Sequence, residues 1–283
     1  IFFVVLRNTS FQVRECRRNS MAETLDERLA RLLPGGKGVW IPMDHGISSY
    51  PEKGLDRMDE VVDSCLEAGV DAIVLQKGSL TYQLERTGWN GFVCHVSVST
   101  VHAGSRSGEK VRVASAEECM FRGASACSAQ INLGENSEPE MIADMGKLTG
   151  EAISLGMPVL GMIYPRGPNL VVSKDDLTKG IAHAARLAWE LGCDVVKVPW
   201  TGNAESFAEV CSAVPIPVLI AGGPRESDFI ETLSIVSQAM AAGGAGVCMG
   251  RQVFGGHTAS HVRALRAIVH NGASVNEAAK YLR

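Results

Sequence analysis

From residue 36 onward the chain alternates between short, unbroken apolar runs and longer stretches in which apolar residues recur every three or four positions. An unbroken run suits a strand covered on both faces, and the three-and-four spacing suits a helix with one buried stripe. The runs are 38–44 (GVWIPMD), 71–76 (DAIVLQ), 92–99 (FVCHVSVS), 127–133 (CSAQINL), 158–164 (PVLGMIY), 193–200 (CDVVKVPW), 217–222 (PVLIAG) and 246–250 (GVCMG). Helical spacing follows them, for example at Leu55, Met58, Val62, Cys65 and Leu66, and again at Ile181, Ala184, Ala185, Ala188 and Leu191. Eight strand-then-helix units predict an α/β fold of one domain, a (β/α)8 TIM barrel, which typically takes about 250 residues. The competing architecture, an open doubly wound sheet, gives no reason for eight units, and no G-x-G-x-x-G follows the first strand. No repeat of intermediate period and no Gly/Ser/Pro-rich linker divides the chain.

Composition narrows the class. Of 283 residues, 46% are hydrophobic and 30 are glycines, enough for a large core. The 27 basic residues are set against 31 acidic ones, with 6% aromatics and no long run of either sign, which argues against a nucleic-acid groove or a membrane-binding face. Eight cysteines are scattered through the chain with no C-x-x-C pair. That pattern suits reduced, buried thiols in a cytoplasmic protein better than a disulfide framework or a zinc site.

Residues 1–20 (IFFVVLRNTSFQVRECRRNS) stand apart, because Met21 opens a conventional MAETLDERLARLL. Their apolar start is too short for a membrane span or a signal-peptide core, and the arginines lie on the wrong side of it. They are read as a non-domain extension of upstream or cloning origin, with an organellar transit segment as the competing reading. The barrel domain is placed at 21–283.

Asp44 ends the apolar run of strand 1, and a buried carboxylate is costly unless it is partnered. Two residues are similarly placed, Tyr164 at the end of strand 5 and Lys197 within strand 6, and in a barrel of this kind chemistry collects where strands end at the C-terminal face. Strand alternation puts Val195, Lys197 and Pro199 on one face. An interior ammonium must be paired or have its pKa lowered by desolvation. As a free amine it attacks a ketone to give an iminium, an electron sink for making or breaking the adjacent carbon–carbon bond. Asp44 and Tyr164 would move the protons. The competing reading has Lys197 snorkelling to solvent with Asp44 as a structural partner.

A candidate anion site follows strands 7 and 8, in IAGGPRES and MGRQVFGG. Gly222, Gly223 and Gly250 allow close backbone approach and Arg251 can clamp a phosphate, although glycines also simply end strands. Lys77, ending strand 2, reads as a contact to substrate or Asp44, or as a solvated rim lysine. His45 reads as a donor to a substrate oxygen or as a turn residue, and Arg166 as a contact to the second substrate or a surface charge. His257 and His261 have a metal-capable spacing without a third ligand, so neither metal nor cofactor is expected.

Taken together and in this order, IPMDHGISSYPEKGL, GMIYPRG, AARLAWELGCDVVKVPWTG, IAGGP and MGRQVF resemble the archaeal-type class I aldolases from about Val39 to the C-terminus. The opening motif resembles the heptulosonate synthase branch more than the fructose-bisphosphate branch. The resemblance implies Lys197 as Schiff-base lysine, Tyr164 and Asp44 as acid/base pair, and Gly222, Gly223, Gly250 and Arg251 around a phosphate. It implies a phosphorylated ketose and a small aldehyde as substrates, L-aspartate 4-semialdehyde in the nearer branch, and a homo-oligomer. Fructose-1,6-bisphosphate aldolase is the enzymatic alternative, and a non-catalytic phosphosugar-binding barrel the alternative of another class. The sequence departs from the branch at Tyr50, in HVSVSTVHAGSRSGEK, in SAQINLG and at Arg225, all of which bear on donor and aldehyde choice.

Overall fold

Eight parallel strands close on themselves in chain order. They are β1 (Gly38–Pro42), β2 (Ala72–Gln76), β3 (Phe92–His95), β4 (Ala126–Leu133), β5 (Val159–Pro165), β6 (Val195–Val198), β7 (Val218–Ala221) and β8 (Gly246–Cys248). Each is followed by a helix: α1 (Met58–Glu67), α2 (Lys77–Thr87), α3 (Ala116–Phe121), α4 (Glu138–Ile153), α5 (Leu177–Glu190), α6 (Ala204–Ser212), α7 (Phe229–Ala241) and α8 (Thr258–Asn271). The computed structural model describes residues 23–172, 176–223 and 228–282, so the expected extension at 1–20 and Arg225 lie outside the described residues. The eight expected runs are the eight barrel strands. Among the described residues, no helix is long and apolar enough to cross a membrane.

Alternation sorts the strand residues into two apolar regions. Trp40, Val74, Val93, Leu160, Val195 and Leu219 fill the barrel interior, while their neighbours Ile41, Ile73, Cys94, Val196 and Ile220 pack outward against the helices. This is the double burial that makes parallel strands read as continuous apolar runs.

The third run departs from expectation. The strand stops at His95, and Ser97–Val98 turns off to pair antiparallel with Val111–Arg112. A side chain replaces the ladder at the point of departure, since the Gln130 N–H donates to Ser97 Oγ at 2.9 Å. The excursion from 97 to 112 therefore rises above the barrel rim instead of continuing in the wall.

The N-terminal end of the barrel is plugged. Helix Leu25–Leu32 starts in a capping box between Thr24 and Glu27 and delivers Leu32 and Leu33 into the interior cluster. There the Trp40 indole donates to Leu32 O at 2.7 Å. The fully buried Arg28 guanidinium donates to Ser125 O at 3.3 Å. Nearby, Asp71 accepts from Val39 N at 2.7 Å and meets Arg266 at 2.9 Å and His270 at 2.7 Å, which fastens α8 beneath β1 and β2.

If this helix is an integral part of the core, Leu32→Ala should cost about 2–5 kcal/mol. Leu177→Ala, at a half-exposed position on α5, should cost within about 0.5 kcal/mol. Urea denaturation of the two variants checks this, and equal midpoints would show that the plug is dispensable.

Candidate active site

The plugged end leaves the opposite, C-terminal end of the barrel to hold polar groups. The chain leaves β1 with Met43 N still bonded to Val74 O at 2.8 Å, then winds into a single turn of 3-10 helix, Asp44–Ile47, that swings Asp44 over the mouth. On β5, Met162 pairs in register with Lys197 of β6, so Tyr164, two residues on and on the same face, stands one layer above the lysine. Cys248 of β8 completes the ring from the other side. These side chains share a cavity of about 730 Å³ with the loops after β7 and β8.

Lys197 is buried, and its Nζ lies 4.0 Å from Met162 Sδ. Burial opposes its charge, yet Cys248, Tyr164 and Asp44 outweigh burial and raise its pKa above the ordinary lysine value. Asp44 acts on this ammonium across the cavity without forming an ion pair: among the described residues no carboxylate lies within 4 Å of Lys197 Nζ. Burial pushes the Cys248 thiol up to about 11, so it is uncharged near neutral pH, and Asp44 is the carboxylate that supports the ammonium there. Burial raises the Asp44 pKa, but His95, His45 and Lys197 more than compensate and hold it below the usual value.

His95 is a site residue that the sequence reading passed over. Its Nε2 lies 3.8 Å from Asp44 Oδ2 and its Nδ1 2.8 Å from Ser128 Oγ, on the neighbouring strand. Burial drives its pKa down to about 4, against the pull of Asp44. Near neutral pH it is therefore an uncharged imidazole bracing the carboxylate. Gln130 and Asn132 were also missed. All three could have been read from the alternation that singled out Lys197, because Ser128, Gln130 and Asn132 are the polar, inward positions of β4. Lys110, which lines the same cavity, comes from the irregular excursion, where no periodicity marks it.

The residues of the expected anion site lie together at one side of the cavity. Gly222 and Gly223 follow β7, Gly250 and Arg251 follow β8, and Arg251 Nη2 donates to Gly223 O at 3.2 Å, tying the two loops together. Among the described residues, no acceptor is paired with the N–H of Gly222, Gly223, Gly250 or Arg251. Packing also demands a glycine at 250, since a Cβ there would come 2.2 Å from Pro42 O and 2.9 Å from His45 Cε1. His45 lines the cavity, its ring edge-on to Phe254 with centroids 5.7 Å apart. Its buried Nδ1 has no partner among the described residues. Burial lowers its pKa, with Lys197 and Arg251 adding to the effect and Asp44 opposing it. Arg166 also faces the cavity, its guanidinium 4.7 Å from the centre of the Tyr164 ring.

Lys77 requires a correction. β2 ends at Gln76, and Lys77 is the first residue of the helix that follows, so strand alternation does not carry it into the barrel. It donates to Val113 O at 2.7 Å and pairs with Glu118 at 3.1 Å, away from Asp44 and the cavity. His261 stacks on Phe229 at 3.8 Å and bonds to Val253 O. Among the described residues, no group of three or more His, Cys, Asp or Glu side chains is arranged to hold a metal.

The profile described as DeoC/LacD family aldolase matches residues 39–256. The chain is 40% identical over 215 residues to 2-amino-4,5-dihydroxy-6-oxo-7-(phosphonooxy)heptanoate synthase of Streptomyces griseus, covering 76% of this chain and 77% of that protein. It is 36% identical over 256 residues to 2-amino-3,7-dideoxy-D-threo-hept-6-ulosonate synthase 1 of Archaeoglobus fulgidus, covering 90% and 94%. Among solved structures, an archaeal fructose-1,6-bisphosphate aldolase, whose catalytic Lys is covalently bound to the carbinolamine intermediate of its substrate, superposes with a TM-score of 0.77 at 28% identity. That match covers 87% of this chain and 99% of that one.

The depressed pKa of His95 has a consequence for stability. The unfolded chain binds a proton at a histidine below about pH 6.5, whereas the native site refuses it until about pH 4. Stability is therefore fully present above pH 6.5 and is lost progressively as pH falls toward 4, by roughly 2–3 kcal/mol from this residue. Urea unfolding at about pH 7 and pH 4.5 should show that loss, and His95→Gln should flatten it. An equal slope in the variant would contradict this account.

Proposed function

The chain belongs to the DeoC/LacD aldolase family, and from that premise we propose that Lys197 is its Schiff-base nucleophile, acting on a phosphorylated ketose and a small aldehyde. The observation that carries this reading is a buried lysine at the centre of the barrel mouth, with Tyr164 and Asp44 both acting on its ammonium. A site that only bound a phosphosugar would not need a charge in that position. The identity to two heptanoate- and heptulosonate-forming synthases favours a dihydroxyacetone-type or deoxyketohexose phosphate as donor and L-aspartate 4-semialdehyde as acceptor.

The donor phosphate sits on the unpaired N–H groups of Gly222, Gly223, Gly250 and Arg251, with the Arg251 guanidinium beside them. This places the ketone carbon over Lys197. Burial favours the neutral amine, which reacts once its proton has passed to a base in the cavity. The amine adds to the ketone carbon. Tyr164 then protonates the departing hydroxyl, water leaves, and an iminium forms. With a dihydroxyacetone-type donor, loss of a proton from the adjacent carbon gives an enamine; with a deoxyketohexose phosphate, breakage of the carbon–carbon bond beside that carbon gives it and releases an aldehyde. The enamine carbon attacks the acceptor aldehyde carbon while the aldehyde oxygen takes up a proton, and water hydrolyses the resulting iminium to release the product ketone and the Lys197 amine. Asp44, steadied by His95, and Tyr164 are the groups within the cavity that carry these protons. His45, with its unpaired Nδ1, is placed to meet a substrate oxygen, and Arg166 faces the acceptor side.

The test is borohydride trapping with dihydroxyacetone phosphate and with a deoxyketohexose phosphate, followed by digestion and mass spectrometry. A reduced adduct is expected on Lys197 and is expected to vanish in Lys197→Ala. Tyr164→Phe should slow turnover by about 10²–10⁴-fold. No adduct with either donor, in folded protein, would overturn the reading. Condensation faster with glyceraldehyde 3-phosphate than with L-aspartate 4-semialdehyde would move the assignment to fructose-1,6-bisphosphate aldolase.

A further inference from the structure

The β3–β5 wall of the cavity carries two cations that the mechanism above does not need. Lys110 reaches it from the excursion after β3, and Arg166 from the end of β5. Among the described residues, neither has a carboxylate within 4 Å. Their hydrogen-bond partners are neutral: Lys110 Nζ donates to Ser99 Oγ at 2.7 Å, and Arg166 Nε donates to Asn132 Oδ1 at 2.9 Å. We propose that Lys110 and Arg166 form a second anion subsite, distinct from the glycine cradle, which takes the charged far end of the aldehyde substrate and makes Lys110 a determinant of acceptor choice.

Position carries the first part of the argument. The glycine cradle follows β7 and β8, whereas Lys110 and Arg166 follow β3 and β5, on the other side of Lys197. With the donor's carbonyl carbon on Lys197 and its phosphate in the cradle, the carbon that forms the new bond lies on the side of the carbonyl away from the phosphate. The aldehyde carbon must meet it there, and the rest of the aldehyde extends toward Lys110 and Arg166.

Construction carries the second part. The buried Asn132 amide accepts from Gln130 Nε2 at 2.8 Å as well as from Arg166, and its Nδ2 donates to Gly108 O at 2.5 Å. One side chain thus fixes both the arginine and the loop that presents Lys110. Burial lowers the Lys110 pKa, and Arg166 lowers it further, against a weaker pull from Asp44. For Arg166, burial lowers the pKa first and repulsion from Arg251 across the cavity adds to it, with Tyr164 and Glu135 opposing. Holding two cations rigidly on one wall, against desolvation and mutual repulsion, leaves an electrostatic deficit that a carboxylate or a phosphate would fill.

This inference rests on the Schiff-base reading for the direction in which the aldehyde enters. One test compares kcat/KM for L-aspartate 4-semialdehyde, glyceraldehyde 3-phosphate and uncharged glyceraldehyde in the native protein and in Lys110→Met, with Lys110→Gln as the second variant should the first fail to fold. The ratio of charged to uncharged aldehyde is expected to fall by tenfold or more. A fall with the semialdehyde identifies the anion as a carboxylate, and a fall with the triose phosphate identifies it as a phosphate. A fall of less than threefold with both overturns the proposal. A second measurement separates this from failure of the Schiff-base reading, because it needs no chemistry: equilibrium binding of a hexitol 1,6-bisphosphate against a hexitol 1-phosphate, neither of which has a carbonyl group. The second phosphate is expected to tighten binding at least tenfold in the native protein, and Lys110→Met to remove threefold or more of that gain. If the second phosphate gains nothing, or the variant keeps the whole gain, the subsite does not exist, whatever borohydride trapping shows.

Discussion

One positive charge inside a closed apolar barrel is the constraint around which the site is organised. Lys197 lies in the same interior region as Leu160, Val195 and Leu219, where an unpaired ammonium would cost several kcal/mol. Asp44 offsets that cost without giving up solvent, because its side chain keeps 18% of its exposure at the cavity mouth. Their attraction acts at a distance, since no carboxylate lies within 4 Å of the ammonium among the described residues, and it crosses a cavity that a ligand can enter. A partner sealed inside the barrel would have locked the proton in place; one fully in water would have been too screened to support it.

This arrangement depends on the opposite end being shut. Leu32, Leu33 and Trp40 fill the bottom layer, and Asp71 binds β1, β2 and α8 together below them. Among the described residues, the cavity that reaches the interior is lined at the C-terminal side, where Asp44, Tyr164 and the glycine loops stand. Stability and chemistry are thus separated along the barrel axis, as barrel enzymes generally separate them. Ions are buried at both ends, but at the bottom Arg28 and Asp71 serve packing and fastening, with Asp71 paired to Arg266 and His270.

How far this was legible from sequence depends on which force fixed each residue. The eight strands were readable because double burial imposes continuous apolar runs, and Lys197 was readable because a charge interrupts one of them. The same logic marks His95, Gln130 and Asn132, which went unread although they break the pattern of β3 and β4 in the same way. Lys77 was misplaced because it was read as the end of a strand, whereas it opens the following helix and turns toward Val113 and Glu118. Lys110 had no such signal. It sits in an irregular excursion whose path is set by a side-chain bond from Ser97 to the backbone of β4 and by Asn132 holding Gly108, both of them contacts between distant parts of the chain. Local pattern fixes which face of a strand a residue takes, but only tertiary contacts decide where a loop returns.

The charge of the cavity shows why totals say little about a site. The chain as a whole carries a formal charge of −4, which would repel a phosphorylated substrate. The cavity wall is the reverse, with Lys110, Arg166, Lys197 and Arg251 set against Asp44 and Glu52, four cations to two carboxylates while His45 stays uncharged. Low-dielectric walls focus the field of such a cleft, and screening over roughly 8–10 Å at physiological ionic strength hides the acidic exterior from a ligand already at the mouth. The depressed pKa of His45 belongs to the same balance. A third cation between Lys197 and Arg251 would strengthen anion binding, but both of those charges repel it and burial adds to the cost. Keeping that histidine neutral lets the cavity attract an anion with the four cations it already has, without the further cost of crowding a desolvated imidazolium between two of them.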